Sequence, residues 1–452
     1  MKFNERVFKA YDIRGKYPDE ISEELAFKIG QAFARYTGAK NIMVGRDARL
    51  SSDELAAALI RGVNSQGIAV VDMGPCSTSC FYFAVPDSGI DAGIMITASH
   101  LGKDFNGFKP VFRDAVPLSK EQMIELKNIA AGPELDILSN EENVTENNFS
   151  VEYITHLRKF IQNDFKPMKI IFDCSNGMAG LYVEKVFASK NLEVKPLFCK
   201  PDGNFPNHDA NPKIAKNRQK LRQEIISENA DLGFMFDGDA DRMYALSRKG
   251  EVIDPSFVSA LIAEYKIKQS GKKKILVDVR TSQAVRDFAK NAGGEVEISA
   301  CWTIPIKLRM RQDEEFIFGS ETSGHYIFAD SYWTDDGILA ALNFLQAVSL
   351  KKESIDEILD SFAEKYFIVE ETNFSVESRE KAKKIINELK SHYEQEGASI
   401  MLIDGLSAVF DDWWFNLRTS ETEPVIRLNL EANSQALMKE KYEEVSHLIL
   451  QN

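Results

Sequence analysis

Asp237, Asp239 and Asp241 stand at i, i+2 and i+4 in Asp237-Gly-Asp-Ala-Asp-Arg242, directly after the apolar run 232–236. Three like charges beside a buried strand are costly unless a counter-ion stands among them. Carboxylate oxygens suit a hard cation such as Mg2+, and that cation suits phosphate chemistry. A solvated acidic loop is the competing reading. The spacing excludes an EF-hand starting at Asp237, because Arg242 and Arg248 occupy its Gly and Glu positions. It also excludes an Asp-nucleophile phosphatase pattern, Asp-x-Asp-x-Thr/Val, because Asp241 stands in the last place.

Three more loops carry candidate chemistry. Thr97-Ala-Ser-His-Leu-Gly-Lys-Asp-Phe-Asn-Gly-Phe-Lys109 follows the apolar run 93–96 and offers the hydroxyl of Ser99 beside His100. Open α/β sheets place ligands at such strand ends, although a Ser there also serves as a turn or cap residue. Arg418-Thr-Ser-Glu-Thr-Glu-Pro-Val-Ile-Arg427 holds three hydroxyls and two guanidinium forks. With turn N–H groups these make a phosphate cradle; the alternative is a hairpin with surface charges. Gly319-Ser-Glu-Thr-Ser-Gly-His325 sets Glu321, Ser323 and His325 together, a set able to grip vicinal sugar hydroxyls or simply cap a turn. Arg14, Arg46, Lys109, Arg242 and Arg280 recur in strand-end loops. Singly each reads as surface charge; together they supply a local positive field.

The elements that must position these loops alternate. Helical spacing over 21–36, a strand at 41–44, a helix opened by Ser51-Ser-Asp-Glu, and strands at 68–72 and 93–96 predict a mostly parallel sheet flanked by helices. The polar stretch 134–150 reads as a linker. A second unit has a strand at 169–172, helices at 181–190 and 216–228, and a strand at 232–236. A third has helices at 257–268, 284–292 and 337–350 and strands at 274–279 and 315–318. A smaller α+β domain follows, with helices at 382–394 and 434–450 around strands at 413–418 and 426–431.

A chain of 452 residues fits roughly three domains on length alone. The net charge of -14 argues against nucleic acid and anionic membrane as partners. The charged start Met1-Lys-Phe-Asn-Glu-Arg6 lacks the apolar core of a signal peptide. No run approaches the ~18–20 apolar residues that span a bilayer, so a cytoplasmic protein is expected. Cys76, Cys80, Cys174, Cys199 and Cys301 are odd in number and irregular in spacing. They complete no zinc site and are expected to be reduced thiols.

The four loops, in this order, resemble the α-D-phosphohexomutase family, in its phosphomannomutase/phosphoglucomutase branch. The likeness extends to Tyr11-Asp-Ile-Arg-Gly15, Val44-Gly-Arg-Asp47, Pro201-Asp-Gly-Asn-Phe-Pro-Asn-His208 and Arg427-Leu-Asn-Leu-Glu-Ala432. It implies three similar α/β domains with mixed, mostly parallel sheets (1–145, 150–250 and 251–365) plus a C-terminal α+β domain (366–452) around a central cleft. It implies a mutase interconverting hexose 1- and 6-phosphates through phosphorylated Ser99, with a hexose 1,6-bisphosphate as intermediate and activator. Asp237, Asp239, Asp241 and the Ser99 phosphate would hold Mg2+. His100, Lys109, Arg242 and His325 would serve catalysis. Tyr11, Arg14, Arg280, Glu321, Ser323, Arg418, Ser420, Thr422 and Arg427 would bind substrate. A monomer or weak dimer is expected, and a phosphoglucosamine-type mutase or a non-catalytic sugar-phosphate binder are the alternatives. Four departures bear on sugar preference and on acid/base roles. Leu101-Gly102 replaces the family's Asn-Pro, Glu421 an Asn or Gly, Arg280 a Lys, and Trp302-Thr303-Ile304 a Gly-His-Ser.

Overall fold

The computed structural model describes residues 4–133, 135–420 and 423–451. The chain divides into two compact units, Met1–Ile253 with Lys307–Glu314 and Ser323–Leu350, and Asp254–Ile306 with Glu315–Thr322 and Lys351–Asn452. Strands among the described residues form four sheets, the expected mixed α/β class.

In the first unit, Asn41–Arg46 pairs in parallel with Ala69–Pro75 and Ala92–Ile96, and the latter runs antiparallel to Phe105–Phe112. The helix Glu23–Thr37 is capped by Ser22, ends on left-handed Gly38 and buries Leu25, Ala26, Ile29 and Phe33 at helical spacing. The helix Ser52–Asn64 starts where its Ser-Ser-Asp-Glu run predicts, but Ser51 makes no side-chain cap bond. Its hydroxyl is taken by Asn106 Nδ2 at 2.9 Å instead. The supposed linker is not free of structure, since Val144–Glu146 adds a parallel edge strand beside Ala69–Pro75.

In the second sheet Met168–Asp173 lies between Leu192–Leu197 and Leu232–Phe236. The strand Leu192–Leu197 escaped the sequence pattern because it is an edge strand, half exposed and carrying Pro196. The helix expected over 181–190 shrinks to the turns Met178–Leu181 and Val183–Val186.

Cys174 and Cys199 form a disulfide, which corrects the expectation of five thiols. The parallel register pairs Asp173 with Leu197, so the residues just beyond the two strand ends meet at a Cα separation of 4.8 Å. The cysteines therefore lend no support to a reducing compartment. Cys76, Cys80 and Cys301 are buried free thiols. Unfolding without reductant should expose three titratable thiols, and unfolding with reductant followed by its removal should expose five. Closing a loop of this length is worth about 3 kcal/mol, so reduction should also lower Tm. Five thiols without reductant would show the bridge to be absent.

In the second unit Lys274–Asp278 pairs in parallel with Glu295–Ser299 and Phe316–Glu321. The C-terminal sheet is antiparallel, Val425–Ala432 lying between Phe367–Ser375 and Trp413–Thr419. No described helix is long and apolar enough to cross a membrane.

Candidate active site

Ser99 follows the fully buried strand Ala92–Ile96 and holds a left-handed backbone, φ 51°. A non-glycine residue stays there only when its surroundings enforce it. Thr97 Oγ1 accepts the Ser99 N–H at 2.9 Å and donates to Asp47 Oδ2 at 2.7 Å. Arg49 supplies the rest. Its Nη2 donates to the carbonyls of Ser99 (2.8 Å) and Leu101 (2.7 Å), and its Nη1 to those of Gly102 (2.7 Å) and Phe105 (2.9 Å). Its Nε donates to Asp47 Oδ2 at 3.0 Å. All five N–H groups of a rigid fork are thus spent on one loop and its anchor. Leu101 and Gly102, where the sequence departs from the family, are held through their backbone.

The Ser99 hydroxyl donates to Asp237 Oδ2 at 2.8 Å and lies 3.2 Å from His100 Nδ1. Asp237 emerges from the buried strand Leu232–Phe236, and left-handed Ala240 folds the loop so that the three carboxylates converge. Gly238 is needed for the close approach: a Cβ there would sit 2.7 Å from the Ser99 carbonyl oxygen.

Asp237, Asp239 and Asp241 each offer an oxygen within 4.8 Å of the others, and all three are buried. Lys109 Nζ bridges Asp239 Oδ2 and Asp241 Oδ2 at 2.7 Å each. The remaining Oδ1 atoms of Asp239 and Asp241 are buried without a hydrogen-bond partner. Unpartnered, buried, hard oxygen donors fit a divalent cation. Asp239 also meets the start of the helix Thr78–Asp87: Thr78 Oγ1 donates to its Oδ2 at 2.5 Å and the Thr78 N–H to its carbonyl at 2.9 Å. That helix end favours negative charge.

The electrostatics are uneven. Burial opposes charge on Lys109, but Asp239 and Asp241 hold its pKa well above that of an ordinary lysine. Burial, then Asp241 and Asp239, push Asp237 up, whereas Asp241, despite its burial, is pulled well down, chiefly by Lys109. Burial, then Arg242 and Arg14, push His100 down to about 2, so its imidazole is neutral. Arg242 Nε donates to His325 Nε2 at 3.2 Å and lies 3.6 Å from Asp237 Oδ2. His325 Nδ1 meets Ser323 Oγ at 2.9 Å. The bond from Arg242 assigns the lone pair to Nε2 and the proton to Nδ1. Arg14 lies on the strand Ile13–Lys16 opposite Gly107, with Tyr11 just before it.

The first unit therefore brings together Ser99, His100, Lys109, Asp237, Asp239, Asp241, Arg242, Ser323 and His325. In the second unit Arg280 Nη2 donates to Asp278 Oδ2 at 2.6 Å and to Glu321 Oε1 at 2.9 Å. Arg418 and Arg427 stand directly opposite each other on neighbouring strands, and each has a buried Nε without a hydrogen-bond partner among the described residues. Ser420 is buried, and its Oγ accepts the Glu423 N–H at 3.2 Å. Thr422 and Glu421 lie outside the described residues. Asp47, Arg49 and Thr78 were missed as site residues; the motif Gly45-Arg-Asp-Ala-Arg49 at a strand end was the one available signal for the first two.

Four family models match in succession: phosphoglucomutase/phosphomannomutase α/β/α domain I over residues 5–135, domain II over 151–250, domain III over 254–366 and the C-terminal domain over 369–448. The chain is 34% identical to a phosphomannomutase of Escherichia coli K12 over 442 residues, 96% of each chain. It is 33% identical to a phosphoglucomutase of Neisseria meningitidis, covering 96% of this chain and 94% of that one. The crystal structure of a phosphoglucomutase/phosphomannomutase family protein from Burkholderia thailandensis superposes with a TM-score of 0.88 at 28% identity, covering 99% of this chain and 97% of that one.

Proposed function

The chain belongs to the phosphoglucomutase/phosphomannomutase family, and from that premise we propose that it interconverts hexose 1-phosphates and hexose 6-phosphates of mannose or glucose through phosphorylated Ser99. The observation that carries the reading is the Ser99 hydroxyl seated at 2.8 Å on Asp237, one of three converging buried carboxylates.

Asp237, Asp239 and Asp241, with a phosphate oxygen on Ser99, would hold Mg2+, which supplies charge stabilisation to a transferring phosphoryl group. The chain's own groups do the rest. The phosphoserine P–Oγ bond breaks as a sugar hydroxyl oxygen bonds to phosphorus, giving the 1,6-bisphosphate, and the freed Ser99 Oγ takes a proton from its neighbour Asp237. The proton of the sugar hydroxyl passes to His325 Nε2, whose lone pair the Arg242 Nε–H occupies at 3.2 Å until Arg242 turns to the phosphoryl oxygens. Lys109, fixed as a cation, and Arg242 offset negative charge on the phosphoryl oxygens. In the return step the other phosphorus bonds to Ser99 Oγ as its bond to the sugar oxygen breaks, and that oxygen takes the proton held on His325. The serine proton returns to Asp237 Oδ2, its acceptor at 2.8 Å. Tyr11 and Arg14 are assigned to substrate, as are Arg280, Glu321 and Ser323 to sugar hydroxyls.

Arg418, Ser420, Thr422 and Arg427 are assigned to the non-reacting phosphate. Directly opposed arginines repel, and an anion between their forks removes that cost. Hexose phosphates are the partners and the cytoplasm is the proposed location.

The test compares kcat/KM for mannose, glucose and glucosamine 1-phosphates, with intact mass before and after glucose 1,6-bisphosphate. Phosphorylated Ser99 and Mg2+-dependent turnover, faster with the bisphosphate, are expected. No turnover of any of the three and no phosphoryl group on Ser99 would replace the mutase with a non-catalytic binder. A preference for glucosamine 1-phosphate would reassign the substrate.

A further inference from the structure

Glu371 lies on the strand Phe367–Ser375, where pairing with Val425–Ala432 shifts register between Val369 and Thr372. A bulge of this kind re-aims side chains. The intervening strand Val425–Ala432 separates Glu371 from the strand Trp413–Thr419 that carries Arg418. Even so, Glu371 Oε2 accepts a hydrogen bond from Arg418 Nη2, and Asn429 Nδ2, on the strand between, lies 3.5 Å from the same oxygen. The pair is largely buried, the side chains 9% and 19% exposed, so solvent screens it weakly.

This contact meets a specific problem. Arg418 and Arg427 face each other in register, and two guanidinium groups so placed repel. A carboxylate on Arg418 offsets that repulsion while no anion is present. It also occupies one end of the fork and leaves Arg418 Nε buried and without a partner among the described residues. An arginine fixed in one conformation loses less freedom when it takes up a phosphate.

We propose that Glu371 is a positioning residue for sugar-phosphate recognition, acting through Arg418: it fixes the guanidinium in its receptive conformation and balances its charge between substrates. The proposal rests on the assignment of Arg418 to the non-reacting phosphate. The arrangement predicts a defect in binding rather than in chemistry, because that phosphate is held equally in ground and transition states.

The test uses the full chain with glucose 1-phosphate and mannose 1-phosphate, comparing wild type, Glu371→Gln, Glu371→Asp, Arg418→Ala and Glu371→Gln/Arg418→Ala. Glu371→Gln should raise KM about tenfold with kcat nearly unchanged. Glu371→Asp, which keeps the charge, should fall between that variant and wild type. In the Arg418→Ala background Glu371→Gln should add nothing further. If Arg418→Ala raises KM while Glu371→Gln lowers only kcat, in step with the folded fraction, Glu371 is structural and the proposal falls alone. Additive effects in the double variant overturn it too. If Arg418→Ala leaves KM unchanged, the phosphate assignment falls and this proposal with it.

Discussion

Ser99→Ala should lose turnover by roughly four orders of magnitude or more while the fold survives. The Ser99 hydroxyl is the one seated on Asp237. The Ser99 backbone is fixed by Thr97 and by the five-bonded Arg49, neither of which depends on the Ser99 side chain. Alanine therefore leaves the loop in place, still left-handed. What it removes is the bond to Asp237 Oδ2, worth about 0.5–1.5 kcal/mol. Asp237 keeps the Arg242 N–H at 3.2 Å and the Arg242 side chain at 3.6 Å, so part of that loss is recovered. Melting temperature should fall by only a few degrees. Incubation with labelled glucose 1,6-bisphosphate should leave the variant unlabelled and the wild type labelled at one site. A variant that still turns over with added bisphosphate would remove Ser99 from the mechanism.

The parts of this site that were legible in the sequence are those whose side chains speak to one another at short spacing. The carboxylates of Asp237, Asp239 and Asp241 needed a counter-ion on spacing alone, and Ser99 at a strand end needed a partner. The long helix Gly337–Leu350 and the strand Leu232–Phe236 showed in their apolar patterns. What stayed hidden speaks to the backbone or depends on register. Arg49 spends four of its five donors on carbonyl groups, which leave no mark in the side-chain sequence. Thr78 reaches Asp239 across 161 positions of chain. Cys174 and Cys199 meet only because two parallel strands align, one of them an edge strand too polar to read as a strand. Glu371 finds Arg418 only because a bulge interrupts its strand. Tertiary register, unlike periodicity, has no local signature.

Lys109→Met should fail for a different reason, and the difference can be measured. Its ammonium group is the cation held between Asp239 and Asp241, at 2.7 Å from each. Methionine fills much the same volume but leaves two buried carboxylates facing each other without it. Breaking a buried pair in this way costs about 3–5 kcal/mol. In metal-free buffer the variant should melt well below wild type. Mg2+ should then raise its Tm by more than it raises that of wild type, because a divalent cation among the same carboxylates supplies the missing charge. Acid sensitivity should change as well. Lys109 is the largest influence, after burial, on Asp241, and it pulls that carboxyl down. A depressed pKa gives stability that is present above the unfolded value and is lost as pH falls through the folded one. Without Lys109 the folded value of Asp241 rises, so unfolding on the acid side should begin at higher pH. Activity should fall by about 10²–10⁴ even at saturating Mg2+, since the metal replaces the charge but not the ammonium group that the proposed mechanism sets against the phosphoryl oxygens. A variant with wild-type Tm in chelator, or with full activity once Mg2+ is added, would show that Lys109 only fills space. A variant rescued in stability but not in turnover would separate its two roles, holding the carboxylates together and stabilising the transferring group.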